Sequence, residues 1–296
     1  MSVWFVTGAS RGLGREIALA ALDRGDQVVA TGRDADAVVA ALDSAVDTDA
    51  AVTALDAAPP DLLVVPLDVT DTAQAKNAID AALTRFGRID VLVNNAGFGI
   101  IGAIEEISDA QTRALFDVNV FGLLTVTRAV LPVLRRQRSG HIVNIGSIGG
   151  YSQYPGKGGA GIYAASKFAV EGITEALLGD LDGLGVKATV VEPGSFRTEF
   201  LGSSSVRLAA DVIDDYEATA GRRRAGVHDE NGTQRGDPRK AAEAIVDVTK
   251  VENPPTRLQL GPDSVARVEE KIALVAKELD TWRQLGQATD YDDVAA

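Results

Sequence analysis

The chain of 296 residues contains no cysteine, so disulfides, thiol nucleophiles and zinc–thiolate centres are excluded. Its two histidines, His141 and His228, are scattered, and a histidine metal site is not expected. Basic residues are also short: 29 Lys and Arg stand against 42 Asp and Glu, a net charge of −13. That balance argues against nucleic acid and anionic membrane as partners. No uninterrupted apolar run approaches membrane length, and no basic stretch precedes the first apolar run. A soluble, cytoplasmic protein without a membrane partner is therefore expected. What is present suits a globular core: 46% hydrophobic residues against 24% charged.

Val3-Trp-Phe-Val-Thr7 is a short apolar run that suits a buried parallel strand. It leads into Gly8-Ala-Ser-Arg-Gly12-Leu-Gly14 and then a helical pattern with Leu13, Ile17, Ala20 and Ala21 on one face, which Gly25 is placed to end. Strand, glycine loop and helix are the context of a dinucleotide site, where small residues admit the pyrophosphate and the helix N-terminus attracts its charge. The spacing Gly-xxx-Gly-x-Gly differs from the GxGxxG fingerprint. Farther along, Tyr163 and Lys167 are four apart, so on a helix they share a face. A fixed ammonium near a phenol lowers its pKa from about 10 and fits it for proton transfer at a substrate oxygen.

Thr7-Gly8-Ala9-Ser10-Arg11-Gly12-Leu13-Gly14 resembles the TGxxxGxG element of the short-chain dehydrogenase/reductase family, and the similarity runs from about residue 3 to about residue 200. Gln27–Thr31 reads as the second strand, and Gly32 stands where NAD-preferring members carry Asp. Losing that carboxylate and gaining Arg33, with Arg11 opposite, favours a 2′-phosphate and hence NADP(H). Residues 35–60 read as one or two helices plus a loop, and Leu62–Leu67 as a third strand. Asp68-Val69 resembles the family's adenine-binding pair; Thr70 or Asp71 then caps a helix. A fourth strand runs from Asp90 into Asn94-Asn95-Ala96-Gly97, similar to the family's NNAG beside the cofactor ribose. Ser108-Asp-Ala-Gln111 is a capping box opening a long helix to Arg138, with Pro132 as the expected kink. Within it, Asn119 matches the family's fourth catalytic residue.

His141–Ile145 is the fifth strand, and Ser147 follows its C-terminal end, the edge at which ligands bind open parallel sheets. Ser147 resembles the catalytic serine, although 15 residues separate it from Tyr163; the surplus falls naturally in Gly156–Gly161, and Ser152 is the rival serine. The resemblance implies that Tyr163 moves the proton, Ser147 holds the substrate oxygen, Lys167 lowers the tyrosine pKa and binds the nicotinamide ribose, and Asn119 positions a water. It further implies cofactor contacts at Gly8, Ser10, Arg11, Gly12, Leu13, Gly14, Arg33, Asp68, Val69, Asn95, Ala96, Gly97, Tyr163 and Lys167. Pro193-Gly194 and Thr198, after a sixth strand at Val186–Val191, resemble the element beside the nicotinamide.

Residues 200–236 lack periodicity and read as a lid that buries an apolar substrate with Phe196, Phe200 and Leu201, or as a surface loop. Arg222-Arg223-Arg224 reads as a solvated face, the alternative being a contact to an anionic substrate. A helix opens at Pro238, Thr256–Leu260 is the last strand, and a helix over about 263–285 repeats Val265, Val268, Ile272, Val275, Leu279 and Trp282 at 3–4 spacing, for packing or subunit contact. The last dozen residues read as frayed. The expected fold is a single α/β domain over 1–296: a Rossmann-type, doubly wound parallel sheet of about seven strands with a small substrate-covering insert. The expected protein is an NADP(H)-dependent oxidoreductase, a homodimer or homotetramer, acting on a small carbonyl or alcohol; its wording is similar to hydroxysteroid and retinol dehydrogenase types. An idle NADP-binding regulator and a 3-oxoacyl thioester reductase are the alternatives.

Overall fold

The structure is a computed structural model that describes residues 1–43, 60–151, 158–227, 229 and 231–291. Its strands are β1 (Val3–Thr7), β2 (Gln27–Gly32), β3 (Leu62–Pro66), β4 (Val91–Asn94), β5 (Gly99–Ile101), β6 (Gly140–Ile145), β7 (Val186–Pro193), β8 (Val206–Leu208) and β9 (Arg257–Leu260). The helices are α1 (Gly12–Leu22), α2 (Ala35–Asp43), α3 (Thr72–Phe86), α4 (Asp109–Phe116), α5 (Leu123–Gln137), α6 (Ile148–Tyr151), α7 (Gly161–Asp180), α8 (Arg222–Gly226), α9 (Pro238–Val248) and α10 (Pro262–Gln287).

Seven strands form one parallel sheet in the order β3-β2-β1-β4-β6-β7-β9. Because successive strand residues point to opposite faces, β1 feeds two cores. Trp4 and Val6 pack with Ile17, Ala20 and Ile245 on one face, and Val3 and Phe5 with Ile79, Val130 and Leu134 on the other. Burial on both faces explains why these strands read as unbroken apolar runs. The chain builds outward from β1 through β2 to β3, then returns to the other side of β1 at β4. This reversal leaves a crevice at the strands' C-terminal ends.

Asp71 is the cap of α3, accepting from the N–H groups of Ala73 and Gln74. The capping box Ser108–Gln111 is formed. The long helix that it opens is irregular at Asp117–Gly122, which is π-helical, and it continues through Pro132 to Gln137. By length and composition Asp109–Gln137 could cross a membrane, yet Leu115, Val126, Val130 and Leu134 are fully buried in the fold. A second sheet, β5 paired in parallel with β8, was not expected from the sequence. Ile101 and Val206 from these strands pack with Ala160 and Val227, so described residues within 200–236 carry a small core of their own. The expectations for residues 44–59, Ser152, His228, the first part of the Gly156–Gly161 loop and the last five residues lie outside the described residues.

Candidate active site

The glycine loop is shaped by hydrogen bonds across β1 and β4. Thr7 Oγ1 accepts the backbone N–H groups of Asn95 (2.9 Å) and Ala96 (3.0 Å), and Asn95 Nδ2 donates to the carbonyls of Thr7 (2.9 Å) and Gly8 (3.0 Å). This clamp leaves no room for a side chain: a Cβ on Gly14 would fall 2.3 Å from Asn95 Nδ2 and 2.4 Å from the Gly8 carbonyl oxygen. Gly8 (φ 68°) and Gly12 (φ 55°) adopt left-handed backbone that favours glycine.

The loop floors a cleft of about 460 Å³. Of the residues expected to contact the cofactor, Gly8, Ser10, Arg11, Gly12, Leu13, Arg33, Asp68, Val69, Asn95, Ala96, Gly97, Tyr163, Lys167, Pro193, Gly194 and Thr198 all line it, with Ser147. Gly14 and Asn119 stand behind that lining and shape it. Arg33 and Arg11 are exposed at the rim, and Arg11 donates to Ser204 Oγ (2.9 Å) and the Ser204 carbonyl (3.0 Å). A glycine cradle, a helix N-terminus and two rim guanidinium groups fit a phosphorylated dinucleotide.

At the inner end of the cleft, Tyr163 and Ser147 line the same wall. Burial pushes the Tyr163 phenol up to about 12, against the nearby Ser147 hydroxyl and the Arg223 charge, which both pull it down. In the sequence reading Lys167 lowers the tyrosine pKa; in the structure burial outweighs every lowering influence on the phenol. Lys167 Nζ lies 5.9 Å from the Tyr163 ring centroid and donates to the Ile145 carbonyl at 2.7 Å. Its ammonium shares the same dry surroundings, so burial lowers Lys167 to about 8, with the Glu171 charge acting the other way. Asn119 is buried in the π-helical segment. Its Nδ2 donates to the Phe98 carbonyl (2.9 Å) and Ser166 Oγ (3.1 Å), and its Oδ1 accepts the Phe98 N–H (3.0 Å). Ser166 in turn donates to the Tyr163 carbonyl at 2.7 Å. The amide thus ties the strand end at Phe98 to the helix carrying Tyr163, leaving one Oδ1 lone pair.

The three consecutive arginines separate. Arg222 is exposed, as a solvated face requires. Arg223 lines the cleft beside Tyr163. Arg224 forms a part-buried ion pair with Glu106 at 3.1 Å, overturning the solvated-face reading for that residue. Glu106 is fully buried and also accepts the N–H groups of Ala103 (2.8 Å) and Ile213 (3.0 Å). Burial raises its pKa, but these hydrogen bonds and the guanidinium outweigh that and hold it below the usual carboxylate range. Phe200 and Leu201 line the cleft, and the Phe200 ring stands 5.9 Å from that of Tyr163. Phe196 also reaches the cleft, but it packs over Gly236 and Gly261 at the loop after β7.

Sequence reasoning missed Asp263, whose carboxylate accepts the Ser195 N–H at 2.8 Å and lines the cleft from the start of α10. It also missed Ser166, whose only signal was its place between Tyr163 and Lys167. A third omission lies behind Lys167. Glu171 and Glu192 are buried together with Arg257 Nε, which is 3.3 Å from Glu171 and 3.9 Å from Glu192. Burial and the charge of Glu192 raise Glu171 to about 8.

A parallel sheet with a glycine-loop crevice at its switch point, ending on half-buried Ser147 and Tyr163, defines a nucleotide-binding oxidoreductase of Rossmann type. The short chain dehydrogenase family model matches residues 2–207, and the chain belongs to that family. "Oxidoreductase BOA17" of Botryotinia fuckeliana is 36% identical, the match covering 97% of this chain and 98% of that protein. Among solved structures, a short-chain dehydrogenase from Streptomyces avermitilis superposes with a TM-score of 0.85 at 38% identity, covering 98% of this chain and 99% of that one. A Burkholderia phymatum short chain dehydrogenase/reductase in complex with NAD gives a TM-score of 0.75 at 28% identity, covering 92% and 94%. A serine dehydrogenase complexed with NADP+ gives 0.70 at 27%, covering 88% and 95%.

Proposed function

We propose that the chain catalyses NADP(H)-dependent interconversion of a carbonyl and a secondary alcohol on a small, largely apolar molecule. The observation that carries this reading is the convergence of Ser147, Tyr163 and Lys167 on the inner end of the same cleft that the glycine loop lines. When bound, the nicotinamide cofactor supplies or accepts the hydride. The loop Gly8–Gly14 would hold its phosphates, Asp68 and Val69 its adenine, Asn95–Gly97 and Lys167 its ribose, and Pro193, Gly194 and Thr198 its nicotinamide. Ser147 Oγ fixes the substrate oxygen and supports developing charge there. Tyr163, kept as a neutral phenol by burial, gives that oxygen a proton, and in the reverse direction takes it back. Phe98, Phe200 and Leu201 exclude water around the substrate, while Arg223 sets a positive charge beside it.

The 2′-phosphate is selected at the rim. Gly32 places no carboxylate there, and Arg11 and Arg33 each offer charge-assisted hydrogen bonds. A panel of carbonyls with NADPH and of alcohols with NADP, read as nicotinamide absorbance, tests the reaction class. Tyr163→Phe should bind cofactor almost normally and lose turnover by roughly two to four orders of magnitude. Turnover within a few-fold of the parent would refute the assignment.

A further inference from the structure

α10 begins well anchored. Ser264 Oγ donates to the Glu192 carbonyl at 2.8 Å in a buried hydrogen bond, and Asp263 holds the loop after β7. It then leaves the body: every residue from Ile272 to Tyr291 is exposed. This free length carries much of a regular apolar seam. Val265, Val268, Ile272, Val275, Leu279 and Trp282 alternate at spacings of three and four, the a and d positions of a heptad. Ile272 is 55% exposed, Leu279 59% and Trp282 64%. A lone projecting helix of this length is marginal in water, and a bare seam of large apolar side chains has no benefit there.

We propose that α10 pairs with α10 of a second copy of this chain as an antiparallel two-stranded coiled coil. The seam is self-complementary in that orientation. It sets Trp282 against the partner's Val265, Leu279 against the partner's Val268, and Ile272 against the partner's Val275, so large residues meet small ones. The flanking g positions are Lys271 and Glu278. Antiparallel pairing places Lys271 beside the partner's Glu278, and symmetry repeats that attraction. A parallel pair would stack Trp282 on the partner's Trp282 and set Lys271 opposite the partner's Ala276. It would also bring together two bodies that each carry −13 charges, because each helix leaves its body at the N-terminal end. In the antiparallel pair, the last turns of the partner's helix lie over the start of α10, where Asp263 and Arg267 line the cofactor cleft. The second copy therefore borders the site.

Charge reversal and cross-linking in the full chain test both the occupant and its orientation. Lys271→Glu alone and Glu278→Lys alone should each weaken association roughly tenfold in sedimentation analysis, by turning two attractions into repulsions. An equimolar mixture of the two variants should recover parental association, since every mixed pair then joins opposite charges. The chain has no cysteine, so Val265→Cys chains mixed with Trp282→Cys chains report a single contact. Mild oxidation should link the two as a heterodimer; a parallel pair would hold those positions about 26 Å apart. A single-chain mass for the unaltered protein, a mixture no better than the separate reversals, or no cross-linked heterodimer would each overturn the proposal.

Discussion

The two ends of the cleft are built in different ways. The cofactor end is made of backbone and short polar side chains on neighbouring strands. Thr7 and Asn95 lock the glycine loop, and shape there is set by the absence of Cβ atoms. The substrate end is made of charged and aromatic side chains drawn from distant segments. Arg224 reaches Glu106 across 118 residues of sequence, and Arg207 stacks on Phe98 with its guanidinium 4.2 Å from the ring centroid. The first construction tolerates little variation because backbone contacts cannot re-pack. In the second, order rests heavily on one part-buried ion pair, so this end can loosen while the nucleotide end stays formed.

Arg224→Met is the sharpest way to separate the two ends. It leaves Glu106 buried without its counter-charge, at a cost of about 3–5 kcal/mol. Hydrogen exchange in β8 and over residues 222–227 should rise steeply, with cofactor affinity within about twofold of the parent. Equal loss of protection in the glycine loop would show that the ends are one cooperative unit.

Stability against pH probes the buried charges behind Lys167, where Glu171 on α7 faces Glu192, Arg257 and Lys167. Glu171 is raised from 4.5 to about 8, so the folded chain retains a proton that the unfolded chain has released. Stability should therefore fall as pH rises across that window. Lys167 is lowered from 10.5 to about 8, so above pH 8 the unfolded chain binds the extra proton and stability should recover. Thermal melts from pH 5 to 10 should show a minimum near 8, and Glu171→Gln should remove the falling limb. A flat profile in the parent would contradict the buried carboxylate.

The smallest effect concerns the rim. If Arg33 binds the 2′-phosphate as proposed, Arg33→Ala should cost about 1.5 kcal/mol, roughly tenfold in NADPH affinity, with NADH affinity little changed. Fluorescence titration of both nicotinamides measures it, and equal losses would assign Arg33 a structural role. Adding Gly32→Asp should favour NADH further, although its Cβ would fall 2.8 Å from a Val38 methyl that must turn aside.

Much of the cofactor end was legible in the sequence because it is local. Short apolar runs located every strand of the main sheet, and the loop Gly8–Gly14, Asn94–Gly97 and Tyr163–Lys167 carry their spacing with them. The short pair β5 and β8 was not legible, since three residues have no measurable period and their partners are about a hundred positions apart. Nor was the π-helical turn at Asn119, which depends on packing against Phe98 and Ser166.

By itself, then, the sequence determined the alternation of strands and helices and the nucleotide loop, because periodicity and spacing encode burial within a single element, while it was resemblance to the family that singled out Asn119, Ser147, Tyr163 and Lys167. Tertiary structure alone decided what the charges do. Three adjacent arginines became a surface residue, a cleft residue and a part-buried partner of Glu106, and the Tyr163 pKa rose because of burial where proximity to a lysine had pointed down. The physical reason is that a charge acts according to the polarity of its surroundings, and those surroundings exist only once distant segments have closed around it.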